Sequence, residues 1–156
     1  MMIFKASLKR FFTPKIVFAH CDIPCGIYDP HEAQVAALTV MRMIDLMDES
    51  EDMHDITRYI LVKEQHAEKC KHEIRVIFGD YFKDEHIEKH PDLYELNHKV
   101  MQLASKVRQG KDRGVAKELL EAVNRIAEIF WESKGVKIKK VNAPYSVQDE
   151  IVVPEL

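Results

Sequence analysis

Apolar residues recur at three- and four-residue spacings through most of the chain, the signature of helices with one buried face. In residues 31–48 the recurring set is Ala33, Ala37, Val40, Ile44 and Met47. Asp29-Pro30 supplies a start signal, with Asp29 as N-cap and Pro30 at the first helical position. The acidic run from Asp48 to Asp52 interrupts the pattern. It resumes over about 53–79 with Ile56, Ile60, Ala67, Cys70, Ile74 and Ile77, and Gly79 stands near its end. Asp80-Tyr81-Phe82-Lys83 is expected as a connection. Pro91 opens a third helix whose stripe is Leu93, Leu96, Val100, Leu103 and Val107. Gly110 to Gly114 is a turn. A fourth helix covers about 115–134, with Leu119, Ala122, Val123, Ile126, Ile129 and Phe130 on one face and Gly135 just past its end. Four amphipathic helices with short links predict an all-α fold, an antiparallel four-helix bundle over 31–135. Residues 136–156 are expected as an extended tail. Val136, Ile138 and Val141 would suit a short strand, but no partner for it is evident. There is no internal repeat.

Composition narrows the class. At 156 residues, 46% hydrophobic and 31% charged, the chain reads as one globular domain. A chain of this size buries roughly two-thirds of its unfolded surface and needs no disulfides to fold. The net charge of -3 argues against a nucleic-acid partner. No apolar run approaches the ~20 residues of a membrane span. Three cysteines, two of them four residues apart, do not make a secreted disulfide framework and leave redox or metal chemistry open.

The charge is unevenly placed. Residues 1–19 hold Lys5, Lys9, Arg10 and Lys15 and no acid; without them the chain has 19 basic and 26 acidic residues, a net of -7. Basic, acid-poor leaders are typical of removable N-terminal segments. A Sec-type signal fits poorly, because Pro14 and Lys15 interrupt the apolar stretch, but Val17-Phe18-Ala19 puts a small residue before a cut. The bland alternative is a frayed tail or an extra short helix.

The chemistry concentrates in His20-Cys21-Asp22-Ile23-Pro24-Cys25-Gly26-Ile27-Tyr28-Asp29-Pro30, directly before the first helix. Cys21 and Cys25 are separated by a prolyl turn, and Gly26 relaxes the backbone beyond it. Two thiolates and one imidazole suit Zn, Ni or Cu rather than Mg or Ca. A cut after Ala19 would give His20 a free α-amine, with a pKa near ~8 that a metal can displace. That amine, the amide nitrogen of Cys21 and the sulfurs of Cys21 and Cys25 could then form a square plane, with the His20 imidazole axial. Square-planar geometry points to Ni(II) or Cu(II). With residues 1–19 attached the residue-20 nitrogen is an amide, and the complete site cannot form.

This segment resembles the metal-binding hook of the nickel superoxide dismutase family, whose pattern is His-Cys-x-x-Pro-Cys-Gly-x-Tyr-Asp-Pro. Every fixed position is present from His20 to Pro30. Lys63-Glu64-Gln65, Asp80-Tyr81-Phe82-Lys83 and Phe130-Trp131-Glu132 look like family segments in the family's order, so the resemblance covers roughly 20–134. It implies a four-helix bundle with an N-terminal hook, a homohexamer, and a maturation protease that removes the leader before His20. The implied cofactor is one nickel ion per subunit, held by the His20 amine and imidazole, the Cys21 amide and thiolate and the Cys25 thiolate. The implied reaction converts superoxide to oxygen and hydrogen peroxide by alternating oxidation and reduction of the metal. Pro24 shapes the hook. Tyr28 and Tyr81 resemble the residues that line the vacant face and order water there, Asp22 resembles the carboxylate that braces the hook, and Lys83 resembles a basic residue near the entrance.

There are departures. The family commonly braces the imidazole through a Glu in the first helix and an Arg in the second; the matching positions here are Ala36 and His66. Losing such partners can cost about 10–100-fold in affinity or activity. Either His66 takes over the bracing, or the axial bond is looser. The tail beyond Gly135 is longer than the family leads one to expect.

Simpler readings compete at several positions. Cys70 falls on an apolar stripe and is a core residue. His72, His86, His90 and His98 lack metal spacing. Met41, Met43 and Met47 are adaptable packing, and Trp131 is core or interface. Two other functions compete for the hook: a metal-free thiol-redox protein using Cys21 and Cys25, and a non-enzymatic helical metal-binding module. Free thiolates suit a reducing cytoplasm, the expected compartment.

Overall fold

The computed structural model describes residues 26–155. They form five helices, one π-helical turn and a two-stranded sheet. The elements are α1 (His31–Glu49), α2 (Met53–Val76), the π-helical turn (Ile77–Tyr81), α3 (Asp84–Lys89), α4 (Leu93–Gln109), α5 (Arg113–Ser133), β1 (Ile138–Asn142) and β2 (Glu150–Pro154). The body is therefore mostly helical, and the expected helical stretches are present with shifted ends. Among the described residues no helix is long and apolar enough to cross a membrane.

The four long helices share one core. α1 packs on α2 and α5, and α4 packs on the same two. Met41 and Ile44 of α1, Ile74 of α2, Leu93 and Val100 of α4, and Leu119, Ile126 and Phe130 of α5 are fully buried. Each such side chain contributes roughly 1.5–3 kcal/mol by leaving water. Cys70 is sealed in this core, as its place on the stripe suggests. Ile56 and Ile60 are exceptions: the first is half-buried and the second exposed.

Local signals fix the helix ends. Asp52 begins α2 by accepting from the backbone N–H of His54 (2.8 Å) and Asp55 (3.1 Å). Asp112 does the same for α5 through Gly114 (2.8 Å) and Val115 (3.2 Å). α5 stops at Gly135, whose φ of +67° suits glycine. The N–H of Val136 reaches back to the Trp131 carbonyl (3.0 Å), and that of Gly135 to the Glu132 carbonyl (2.9 Å).

Four sequence expectations need correction. α1 begins at His31, with Pro30 as the flanking residue already in helical conformation. Asp29 serves from outside, its Oδ1 taking the His31 N–H at 2.8 Å. The third long helix starts at Leu93, not Pro91. The expected connection 80–83 is partly helical: the N–H of Phe82 reaches the Ile77 carbonyl five residues back (3.2 Å), and α3 follows. Finally, the fold is not purely all-α. β1 pairs antiparallel with β2, Ile138 opposite Pro154 and Asn142 opposite Glu150. The partner that was not evident for β1 is Ile151-Val152-Val153, later in the same tail. Ile151 and Val152 are both buried, so both faces of β2 are covered.

Candidate metal centre

His20, Cys21, Asp22, Pro24 and Cys25 lie outside the described residues, as does the leader 1–19. What the structure describes is the ground next to them. Gly26 has φ +81°, a backbone conformation that favours glycine, with nothing within 4 Å of where a Cβ would stand. The Tyr28 ring lies 5.7 Å from that of Tyr81, tilted by 54°. Two sequence-nominated residues far apart in the chain are thus together.

Tyr81 ends the π-helical turn. The extra residue in that turn changes the angle at which side chains leave the helix, and such turns recur at functional sites. The ring packs against Phe130 (4.7 Å), Phe82 (5.3 Å) and His86 (5.5 Å). Its hydroxyl shares a 2.6 Å hydrogen bond with Ser133 Oγ, and Ser133 donates to the Phe130 carbonyl at 2.7 Å. Tyr81 is therefore anchored to the end of α5.

Lys83 is exposed two residues on. Its Nζ donates to the Asp80 carbonyl (2.8 Å), and its N–H to His86 Nδ1 (2.9 Å). A second lysine, which sequence reasoning missed, lies against the ring: Lys134 Nζ is 4.9 Å from the Tyr81 ring centroid and 5.0 Å from that of Phe130. The signal was its spacing of four residues from Phe130, which puts both on one side of the helix end.

Ala36 and His66 lie on α1 and α2. Ala36 is fully buried. His66 is half-buried, and its Nδ1 is sealed from solvent without a hydrogen-bond partner. Burial, and secondarily the nearby Lys69 charge, push its pKa below the usual histidine value. Lys69 is paired across to Glu32 on α1.

The donor chemistry singles out the segment before Gly26. Among the described residues no three His, Cys, Asp or Glu side chains gather to hold a metal. The Cys70 thiol is pushed up to about 12 by burial, so it offers no thiolate. The soft donors left are Cys21 and Cys25, with His20 beside them, a set that suits nickel.

A helical body preceded in the sequence by a nitrogen-and-sulfur donor set of this kind suits a metalloprotein with redox-capable ligation. The sequence model of the family described as nickel-containing superoxide dismutase matches residues 15–134. The chain is 41% identical over 128 residues to the superoxide dismutase [Ni] of Streptomyces coelicolor, covering 81% of this chain and 98% of that protein. It is 38% identical to that of Streptomyces seoulensis, with the same coverage. The native crystal structure of a nickel superoxide dismutase superposes with a TM-score of 0.70 at 39% identity, over 74% of this chain and 99% of that one. An apo structure gives 0.69 at 36% identity, over 70% of this chain and 99% of that one. The chain belongs to the nickel-containing superoxide dismutase family.

Proposed function

We propose that this enzyme disproportionates superoxide at one nickel ion per subunit, held by His20, Cys21 and Cys25 after cleavage before His20. The observation that carries the reading is the Tyr28–Tyr81 contact. It places two aromatic phenols where residues 20–30 run into α1, on a platform fixed by Ser133 and Phe130. The body is an antiparallel four-helix bundle over 31–135 with the hook 20–30 at its N-terminal end, preceded by a leader 1–19 and followed by a tail 136–156.

The chemistry that nickel supplies when bound is a one-electron couple, by which one superoxide is oxidised to oxygen and a second is reduced and protonated to hydrogen peroxide. The protein's part is in its side chains. The Cys21 and Cys25 thiolates and the His20 amine and imidazole form the donor set, and the Cys21 amide joins it once deprotonated. Asp22 and Pro24 hold the hook in shape. Tyr28 and Tyr81 would order water on the face of the site that they line, supply a path for protons and keep larger reductants out. Lys83 attracts the anionic substrate toward that face, a necessary local field in a chain of net negative charge. Superoxide is the small-molecule partner. The subunits assemble as a homohexamer, a maturation protease frees His20, and the cytoplasm is the compartment in which the thiols stay reduced.

The test is a native mass spectrum with a matched activity assay. The chain beginning at His20 is expected to carry one nickel per subunit in a six-subunit particle and to consume superoxide. The chain with residues 1–19 attached is expected to do neither. Full nickel loading and turnover in the uncut chain would overturn the role given to the His20 amine. Activity that survives His20→Ala without metal would favour thiol-redox chemistry instead.

A further inference from the structure

Residues 138–154 lie beyond the stretch 15–134 that the family model matches, yet they are built into the body. Ala143, Val147, Ile151 and Val152 are buried, and β2 packs on both α1 and α5. The polar links are specific. Gln34 is fully buried in the first turn of α1. Its Nε2 donates to the Val152 carbonyl at 3.0 Å and to Asn124 Oδ1 on α5 at 2.8 Å. Asn124 in turn donates from Nδ2 to the Glu150 carbonyl at 2.8 Å. Further along, Arg113 joins Asp45 of α1 (2.9 Å) to Asp149 just before the returning strand (3.0 Å).

The position of Gln34 matters. The Pro30 carbonyl accepts from the N–H groups of Ala33 (3.1 Å) and Gln34 (3.2 Å), so the first turn and the residue where the hook ends move together. Pro30 offers no side-chain cap to this turn. First turns of helices open easily because their N–H groups lack intrahelical partners. Here a buried side-chain amide, clamped between the hairpin and α5, holds the turn from inside.

We propose that the C-terminal hairpin is a brace that fixes the first turn of α1 through Gln34, and thereby sets the position of the metal-binding segment joined to it. Gln34 is a positioning residue, not a ligand. The proposal rests on the reading that residues 20–25 hold nickel. A segment whose root is fixed loses less freedom when its donors close on a metal, so the brace strengthens binding without contributing a donor.

The test compares the unaltered protein with Gln34→Met, which keeps volume and removes the amide, and with a chain ending at Gly135. The shortened chain keeps the whole stretch, 15–134, that the family model matches. Two quantities are read: amide hydrogen exchange of residues 31–38 in metal-free protein, and nickel affinity of the form beginning at His20, by competition with a chelator. Shortening is expected to speed exchange in the first two turns of α1 and to weaken nickel binding by about tenfold, the scale for lost supporting contacts. Gln34→Met should move both in the same direction by less. Unchanged exchange in both variants would overturn the brace. So would faster exchange, or a lower melting temperature, with nickel affinity unchanged, because a merely structural hairpin predicts that result. Should the shortened chain fail to fold, Gln34→Met decides between brace and structural hairpin through the same two quantities. If the unaltered form beginning at His20 takes up no nickel, the metal reading fails, and exchange alone then decides whether the hairpin holds α1.

Discussion

Around Tyr81 each group the structure describes has a partner. The ring rests on Phe130, Phe82 and His86, the hydroxyl on Ser133, and Lys134 closes over the top. At Ala36 and His66 the opposite holds. Ala36 brings no polar atom, and the buried Nδ1 of His66 meets none. A buried nitrogen left in this way costs about 1–3 kcal/mol. The two neighbourhoods therefore differ in when they become complete. The Tyr81 side is organised by the helical body alone. The His66 side has an unmet hydrogen-bond need among the described residues. One side is a finished platform; the other is a half-made contact.

The largest expected effect tests this difference directly in metal-free protein. Tyr81→Ala removes the ring contacts and the Ser133 bond together. It should destabilise by about 2–4 kcal/mol, below the full range for a buried aromatic because Tyr81 is half-buried. His66→Ala removes a group with an unsatisfied nitrogen and should change stability by no more than about 1 kcal/mol in either direction. Urea denaturation of the two variants measures both. If His66→Ala proved the costlier, the contrast between the two sides would be broken.

A second effect is carried by pH. The folded-state pKa of His66 is lowered by burial, with Lys69 on its own helix adding to the shift and Glu32 across on α1 already committed to Lys69. At a pH above the unfolded value of about 6.5 the imidazole is neutral in both states and costs nothing. As pH falls through that value, the unfolded chain binds a proton that the folded chain refuses. Stability is then lost until the lower folded pKa is reached. The loss is bounded by about 1.4 kcal/mol per pH unit for one group. Denaturation at pH 7.5 and pH 5.5 should show this extra loss in the unaltered protein and not in His66→Asn. Tyr81→Phe should leave the pH slope as it was.

The same two neighbourhoods show what a sequence reveals and what it hides. The helical stripes were legible because burial on one face repeats every three or four residues; the hook is a reading of donor residues close together in the chain, and its donors lie outside the described residues. The Tyr28–Tyr81 contact followed from the family pattern, since nothing in spacing joins positions 28 and 81. Lys134 was hidden because its role comes from meeting a residue on another element. The orphaned nitrogen of His66 was hidden for the same reason; only its departure from the family showed. The hairpin was missed because its second strand is three apolar residues closed by a proline, which weakens a strand reading, and its seven-residue link has no two-residue turn signal. Lys63, part of a family-like segment, is explained only in three dimensions: buried, it donates to the carbonyls of Val107 (2.6 Å), Arg108 (3.2 Å) and Gly110 at the end of α4.

The smallest expected effect asks whether the finished side also guides substrate. Lys83 and Lys134 are exposed, and among the described residues neither has a carboxylate partner within ion-pair distance. Lys69, on the other side, spends its charge on Glu32. An ammonium near Tyr81 that no carboxylate neutralises raises the local concentration of a small anion, and salt screens it over about 8–10 Å. Lys134→Gln should therefore lower kcat/KM for superoxide by about two- to fourfold at low ionic strength, and Lys83→Gln by a similar factor. Both deficits should shrink as salt is raised, while Lys69→Gln leaves the low-salt rate unchanged. Pulse radiolysis across a salt series separates these outcomes. A Lys134 deficit that persists at high salt would mean that the lysine holds the Tyr81 ring in place rather than drawing the anion in, and the contrast would then rest on packing alone.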